Sequence, residues 1–311
     1  MDSRIYTEKM LASLREHLDS GNYRFITYPK FIFLCGKANS PEEYDSSNRG
    51  VIQRYIEKKS KDTFIVLSEK LWEEGFNSNI DLLTFEDFLA EVSDAIVLFA
   101  ESVGSFCELG AFSYADKLFC DKLIIVIDEK HKGEKSFILT GPTEKAKKDG
   151  ATVVYAPLSG TGLLGSADLR SIIDRKIKEF SSKSHSGNKR KPNTTADGVR
   201  INTFILELLE LIKILQPISK KDLIDIYKVI KGFSSFSFVK KNGQRFHNEI
   251  KVDYIYKLLL TVGLISINDN VIRAKDDALT QSVMFKYSVK ASNKERNILL
   301  CRKYRYGGVV I

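Results

Sequence analysis

One carboxylate stands out by its setting. In Asp94-Ala95-Ile96-Val97-Leu98-Phe99-Ala100-Glu101-Ser102-Val103-Gly104-Ser105-Phe106-Cys107-Glu108-Leu109-Gly110-Ala111-Phe112, an apolar run ends in a polar turn. Glu108 follows four residues after Gly104. The pattern predicts a buried strand, a sharp loop and a helix over Glu108–Leu118 that aims Glu108 at whatever the loop holds. Gly104 lets the backbone turn tightly and approach a ligand. The N–H groups of Gly104 and Ser105, with the hydroxyls of Ser102 and Ser105, suit a phosphate or a ribose at a helix N-terminus. A carboxylate there can attack the anomeric carbon of a ribose, or it can stabilise an oxocarbenium-like centre and position water. Glu101 is a second carboxylate beside the loop, able to orient a ribose hydroxyl or assist a leaving base. The plainer alternatives are a solvated charge at Glu101 and, at Glu108, an acid favoured by the helix dipole.

The surrounding elements must place this loop. Lys30–Gly36 is a short apolar run closed by glycine, and further runs lie at Thr63–Leu67, Leu123–Asp128 and Thr152–Tyr155. Between them, Val51–Lys59 and Leu82–Val92 read as helices, and Leu169–Phe180 is amphipathic. Uniformly apolar strands alternating with helices predict an α/β fold, a Rossmann-like parallel sheet flanked by helices on both faces. Ligands of such sheets sit at the C-terminal ends of the strands. The loops after Leu34 and Phe99 both fall there, and Gly36 and Lys37 would line the floor near a phosphate, with Lys37 equally readable as a surface lysine.

The 311 residues suffice for two domains. We expect a catalytic or sensing domain over 1–180, a flexible basic linker over 181–198 and a second domain over 199–311. Charge divides the same way. Residues 1–180 carry 24 basic and 29 acidic side chains, and residues 199–311 carry 20 and 10. A basic back half suggests nucleic-acid contact. Ile201–Leu215, Ile218–Ile230 and Ile250–Val262 read as three helices, the second capped by Ser219. A hairpin follows through Asn268-Asp269-Asn270. This is the pattern of a winged helix-turn-helix. Lys251, Tyr254, Lys257 and Arg273 are the candidates to face nucleic acid or a protein partner. Arg302 and Lys303, in a tail of basic and aromatic residues, extend that list. Four cysteines lack paired or zinc-like spacing, and three of them read as core thiols. No metal site is expected, nor a bound cofactor. No apolar run nears the ~20 residues of a membrane span, and the expected location is the cytoplasm.

The segments Ile32–Gly36, Asp94–Phe99 and Glu101–Phe112 resemble the nucleoside 2′-deoxyribosyltransferase fold. Together with Ser136-Phe137-Ile138 and Gly141-Pro142, the chain looks most like the toxin effectors encoded beside bacterial retron reverse transcriptases, which join such a domain to a C-terminal winged helix. The resemblance implies that Glu108 stands where those transferases carry their nucleophile. It places Ser102 where they carry an Asp that handles the base, a departure that favours hydrolysis over base exchange. It implies cleavage of NAD, or a related nucleotide, at its N-glycosidic bond, with NAD as substrate rather than cofactor. It also implies restraint by the reverse transcriptase with its branched RNA–DNA (msDNA), and a homo-oligomer or higher-order assembly is expected. Two other readings remain open. One is a nucleotide-sensing winged-helix transcription regulator without turnover. The other is a phosphoribohydrolase, whose usual Pro-Gly-Gly run is absent.

Overall fold

The computed structural model describes residues 8–18, 23–27, 29–37, 39–73, 80–114, 117–185, 194–195, 198–235, 237–240, 244–245, 250–275 and 284–287. Contacts divide the chain into two units, Pro29–Ser182 and a second made of Met1–Tyr28 with Lys183–Ile311. The N-terminal segment thus groups with the C-terminal unit and not, as expected, with the sheet. No helix among the described residues is long and apolar enough to cross a membrane.

The chain opens with α1 (Glu8–His17) and β1 (Tyr23–Thr27). Five strands, β2 (Lys30–Cys35), β3 (Thr63–Val66), β4 (Ala95–Ala100), β5 (Leu123–Asp128) and β6 (Thr152–Ala156), then build one parallel sheet in the order β3-β2-β4-β5-β6. Its register sets Phe33 beside Val66 and Ile96, and Leu98 beside Ile125. The connections are α2 (Pro41–Tyr44), α3 (Asn48–Lys59), α4 (Ser68–Glu73), α5 (Leu82–Val92), α6 (Val103–Tyr114), α7 (Lys117–Cys120) and α8 (Glu144–Lys148), and α9 (Ala167–His185) closes the unit.

Side chains alternate between faces along each strand. Ile32, Leu34, Val97, Phe99, Ile124 and Val126 pack on one face with Ile52 and Ile56 of α3 and with Leu169 and Ile173 of α9. On the other face, Phe33 meets Phe112 of α6 edge-on, with ring centroids 6.3 Å apart. Burying each of these large side chains contributes about 1.5–3 kcal/mol, and both faces are needed to bury the strands.

The strand order has one reversal. Beyond β2 the chain winds towards β3, and beyond β4 it winds the other way towards β5. The loops after β2 and β4 therefore diverge and leave a crevice between Cys35 and Ala100, where sheets of this order bind ligands.

Two element boundaries differ from expectation. The helix carrying Glu108 begins at Val103, five residues earlier than the pattern suggested. Ser102 caps it, and a glycine in a first turn costs only about 1 kcal/mol. The helix α9 runs to His185 and takes in the start of the expected linker; nothing interrupts it before Gly187, and adding a residue to an existing helix is cheap.

In the second unit, β7 (Thr194–Thr195), β8 (Gly198–Arg200) and β10 (Ser237–Val239) form one small sheet. A second joins β9 (Ile218–Ser219), β11 (Ile265–Asn268) and β12 (Val271–Ala274). Asp269 and Asn270, at φ 50° and 63°, close the β11–β12 hairpin. Asp and Asn tolerate this left-handed backbone, which matches strand twist. Around these sheets lie α10 (Ile201–Leu215), α11 (Lys220–Lys231) and α12 (Val252–Thr261). Ser219 caps α11 by accepting from Asp222 N at 3.1 Å. On α10, Glu207 is fully buried; it accepts from Tyr227 Oη and Lys231 Nζ, each at 2.6 Å. Lys231 also donates to Leu18 O at 3.0 Å and so ties the end of α1 to α11. Last, β13 (Met284–Tyr287) pairs antiparallel with β1.

Candidate active site

The crevice loop is built by two serines. Ser102 Oγ accepts from Ser105 N at 3.2 Å, an N-terminal cap. In return Ser105 Oγ accepts from Ser102 N at 2.9 Å and Glu101 N at 3.1 Å, and donates to Ser102 O at 3.0 Å. Ser105 is fully buried. Its hydroxyl is consumed in holding the loop, which corrects its expected role in binding substrate. Gly104 is exposed, and an added Cβ would meet only Ser102 Oγ at 4.0 Å. The protein itself does not demand a glycine there, so the open approach is left to a ligand.

Glu101 spans the crevice. Its Oε1 accepts from Lys37 N at 3.1 Å and its Oε2 accepts from Asn48 Nδ2 at 2.6 Å. Asn48 Oδ1 in turn accepts from Gly160 N at 2.8 Å. One carboxylate and one amide thus join the loops after β2, β4 and β6. Gly36 is required for this join, because a Cβ would lie 2.9 Å from Glu101 Oε1. Lys37 contributes its backbone N–H to this join, and its residue is exposed.

Glu108 projects from the second turn of α6 into a cluster of charges. Around Cys35, at the end of β2, stand Glu108, Glu86 of α5, Arg49 of α3 and Glu69 of α4. Glu108 and Glu86 are hydrogen-bonded to each other, and Ser68 bonds Glu86. Burial, then the neighbouring Glu86 charge, push Glu108 up to about 8, against a smaller opposing pull from Arg49. Burial also raises Glu86, while its bonds to Ser68 and Glu108 draw it down. Two buried carboxyl groups in contact cannot both ionise cheaply, which favours a proton shared between them. Glu108 Oε2 is buried without a hydrogen-bond partner.

Arg49 Nη1 pairs with Glu69 Oε1 at 2.5 Å. Its Nε and Nη2 are buried without partners, and the whole residue is 2% exposed. Burial and the neighbouring Glu108, Glu86 and Glu69 raise the Cys35 thiol well above its ordinary value, with Arg49 opposing, so it stays an un-ionised wall residue.

Gly36, Lys37, Glu101, Ser102, Gly104, Ser105 and Glu108 are therefore brought together at one crevice. Sequence reasoning missed Asn48, Arg49 and Glu69, which lie outside the elements it predicted, and Glu86, inside the predicted helix Leu82–Val92. The one available signal was the Asn48-Arg49-Gly50 run following a polar loop after the first sheet strand. In the second unit, Lys251 and Arg273 are exposed and Lys257 is half-buried. Tyr254 is only 7% exposed, packed inside its unit. Its ring is not offered to a partner, a correction that follows from its place on the apolar stripe of α12. Arg302 and Lys303 lie outside the described residues. Cys107 is exposed rather than a core thiol, because α6 turns it away from the sheet; Cys35 and Cys120 are buried as expected, and Cys301 lies outside the described residues.

Comparison with known proteins bears on this arrangement. Residues 45–276 match the model of a family described as "STM3845 retron effector protein". Two Escherichia coli proteins are similar over most of their length. "Retron Ec86 putative ribosyltransferase/DNA-binding protein" is 32% identical over 256 residues, covering 79% of this chain and 81% of that protein. "Retron Ec73 putative ribosyltransferase/DNA-binding protein" is 30% identical over 232 residues, covering 68% and 70%. The family match takes in Arg49, Glu69, Glu86, the Glu101–Glu108 loop and the β11–β12 hairpin, and the chain belongs to the STM3845 family of retron effector proteins.

Proposed function

We propose that this retron effector is an N-glycosidase that cleaves NAD, or a related nucleotide, at the bond between base and ribose. The observation that carries the reading is the Glu108–Glu86 pair, two neighbouring carboxyl groups beside the crevice of the sheet, with Glu108 Oε2 buried and unpartnered. Glu108 attacks C1′ while the C1′–N bond breaks and its electrons pass to the departing ring nitrogen. The Glu108 proton moves to Glu86 in the same step. A pyridinium-type base leaves neutral and needs no proton of its own. Water then attacks C1′, its proton goes to solvent, and Glu108 is released and regains its proton from Glu86. The nucleophile is thus split from its proton by a neighbour already bonded to it. Glu101, tied to Lys37 and Asn48, fixes the crevice walls. The names of the two Escherichia coli relatives include ribosyl transfer, which fits chemistry at C1′.

The second unit would provide the restraint. Three helices followed by a hairpin suit a winged helix. Lys251, Lys257 and Arg273 would meet the phosphates of the branched RNA–DNA carried by the reverse transcriptase, and the Arg302 and Lys303 tail would add to them. In this reading the effector works in the cytoplasm, in a higher-order assembly, as a toxin released during phage defence.

The test is release of nicotinamide from NAD by purified protein. Glu108→Gln should lower kcat by about 10³-fold or more, with native folding checked by circular dichroism. Unchanged turnover in that variant would refute the mechanism.

A further inference from the structure

The Glu108–Glu86 chemistry leaves Arg49 unused. Its guanidinium is held on one side only. Nη1 bonds Glu69, and the side chain passes so close to Gly36 that a Cβ there would sit 3.3 Å from Arg49 Cδ. The Tyr44 ring lies 5.8 Å from Arg49 Cζ. The remaining donors, Nε and Nη2, share one edge of the planar fork, and neither has a partner. Leaving two such donors buried costs about 1–3 kcal/mol each, and the edge they form is the one that grips two adjacent oxygens. Glu108 Oε2, in the same charged cluster, is a buried oxygen with no partner either.

Charge decides which two-oxygen group fits. Three carboxyl groups, Glu69, Glu86 and Glu108, surround Cys35 with Arg49 as the one guanidinium among them. A phosphate would add negative charge to a desolvated site already rich in it. A vicinal diol adds none. Its oxygens accept from Nε and Nη2, and one of its O–H groups can donate to Glu108 Oε2, so that all three unpaired atoms are satisfied together.

We propose that the Nε–Nη2 edge of Arg49 holds the 2′,3′-diol of a ribose, making the site specific for ribonucleotides over their 2′-deoxy counterparts. The inference rests on the glycosidic reading of Glu108 and adds its substrate class. The fork is closed to solvent in this state. Glycosidic transition states gain from hydrogen bonds at the hydroxyl beside the anomeric carbon, so Arg49 contributes where charge develops.

The experiment compares NAD with 2′-deoxy-NAD, on the wild-type protein and on Arg49→Lys, which keeps the charge beside Glu69 but loses the fork. Wild-type kcat/KM should favour the ribose form by roughly 10- to 100-fold. Arg49→Lys should bring the two substrates to within about threefold of each other. Equal wild-type rates on both substrates would overturn the diol assignment while leaving the glycosidase reading intact. So would an Arg49→Lys protein that slows on both alike and keeps its preference. A fork that instead discriminates nucleotide from nucleoside, with competition by inorganic phosphate, would also overturn it in favour of an anion. If neither dinucleotide is cleaved, NAD falls as the substrate, independently of the diol. The diol is then judged by calorimetry with ADP-ribose and 2′-deoxy-ADP-ribose, where tighter binding of the former supports it and equal affinity rejects it. The wild-type comparisons need no variant to fold.

Discussion

Replacing Glu108 by Gln removes a titration, and the consequence must appear in stability as well as in turnover. In the folded protein Glu108 is pushed up to about 8 from an ordinary 4.5 by burial and by Glu86. A carboxyl whose folded value is raised binds its proton more tightly when folded than when unfolded. The wild type therefore loses stability as pH rises from about 4.5 to about 8, and no more above that. At about 1.4 kcal/mol per pH unit the ceiling is about 5 kcal/mol. Glu86 shares the titration, so the realised change is roughly 2–4 kcal/mol. Glutamine is neutral throughout. The stability difference between Glu108→Gln and wild type should be near zero or slightly negative at about pH 5 and should rise by that amount near pH 8.5. Urea unfolding at a series of pH values measures it. Trp72 is the chain's one tryptophan, and its ring centroid lies 5.6 Å from that of Phe85, next to Glu86, so its fluorescence reports on this unit. Parallel pH curves for the two proteins would refute the shared-proton account.

Other outcomes follow from the same contacts. Gly36→Ala should cost about 1–3 kcal/mol and reduce turnover, because its Cβ forces Glu101 away from Lys37 N; the urea midpoint and the NAD assay check both. Asn48→Ala unpairs Gly160 N and one Glu101 oxygen, and a loss of about 1–3 kcal/mol is expected by the same unfolding assay. Lys231→Met takes a charged partner from the fully buried Glu207, so thermal melting should show a loss of about 3–5 kcal/mol. If Arg273 meets a phosphate, Arg273→Ala should reduce the slope of log affinity against log salt by about 1 for branched RNA–DNA, measured by filter binding.

The sheet was legible because its strands are buried on both faces and read as unbroken apolar runs, Ile96–Phe99 and Leu123–Ile127 above all. Glu108 was legible because an acid just past such a run and a glycine has few structural uses. The groups that tune it were not. Arg49, Glu69 and Glu86 sit on helices, where a charge normally faces water, and their convergence on Cys35 depends on how three connections fold back over one strand end. Tyr254 shows the converse error. It was read for its chemistry next to Lys251 and Lys257, but helical rotation puts it with Ile255 and Leu258 in the core. The hairpin turn is legible at Asp269 and Asn270, where residue type selects the backbone, while Asn268, expected in the turn, ends β11.

The grouping of residues 1–28 with residues 183–311 has a further consequence. The sheet unit is an insertion, entered at Pro29 and left at Ser182, with two covalent crossings instead of one. A protease that cuts once between the units does not set the sheet unit free, since the other crossing remains. Even the severed fragment stays docked through the Leu18–Lys231 bond and the pairing of β1 with β13. Liberating the crevice as a free piece takes two cuts, so limited proteolysis should show a nicked but undivided particle before any separate sheet fragment.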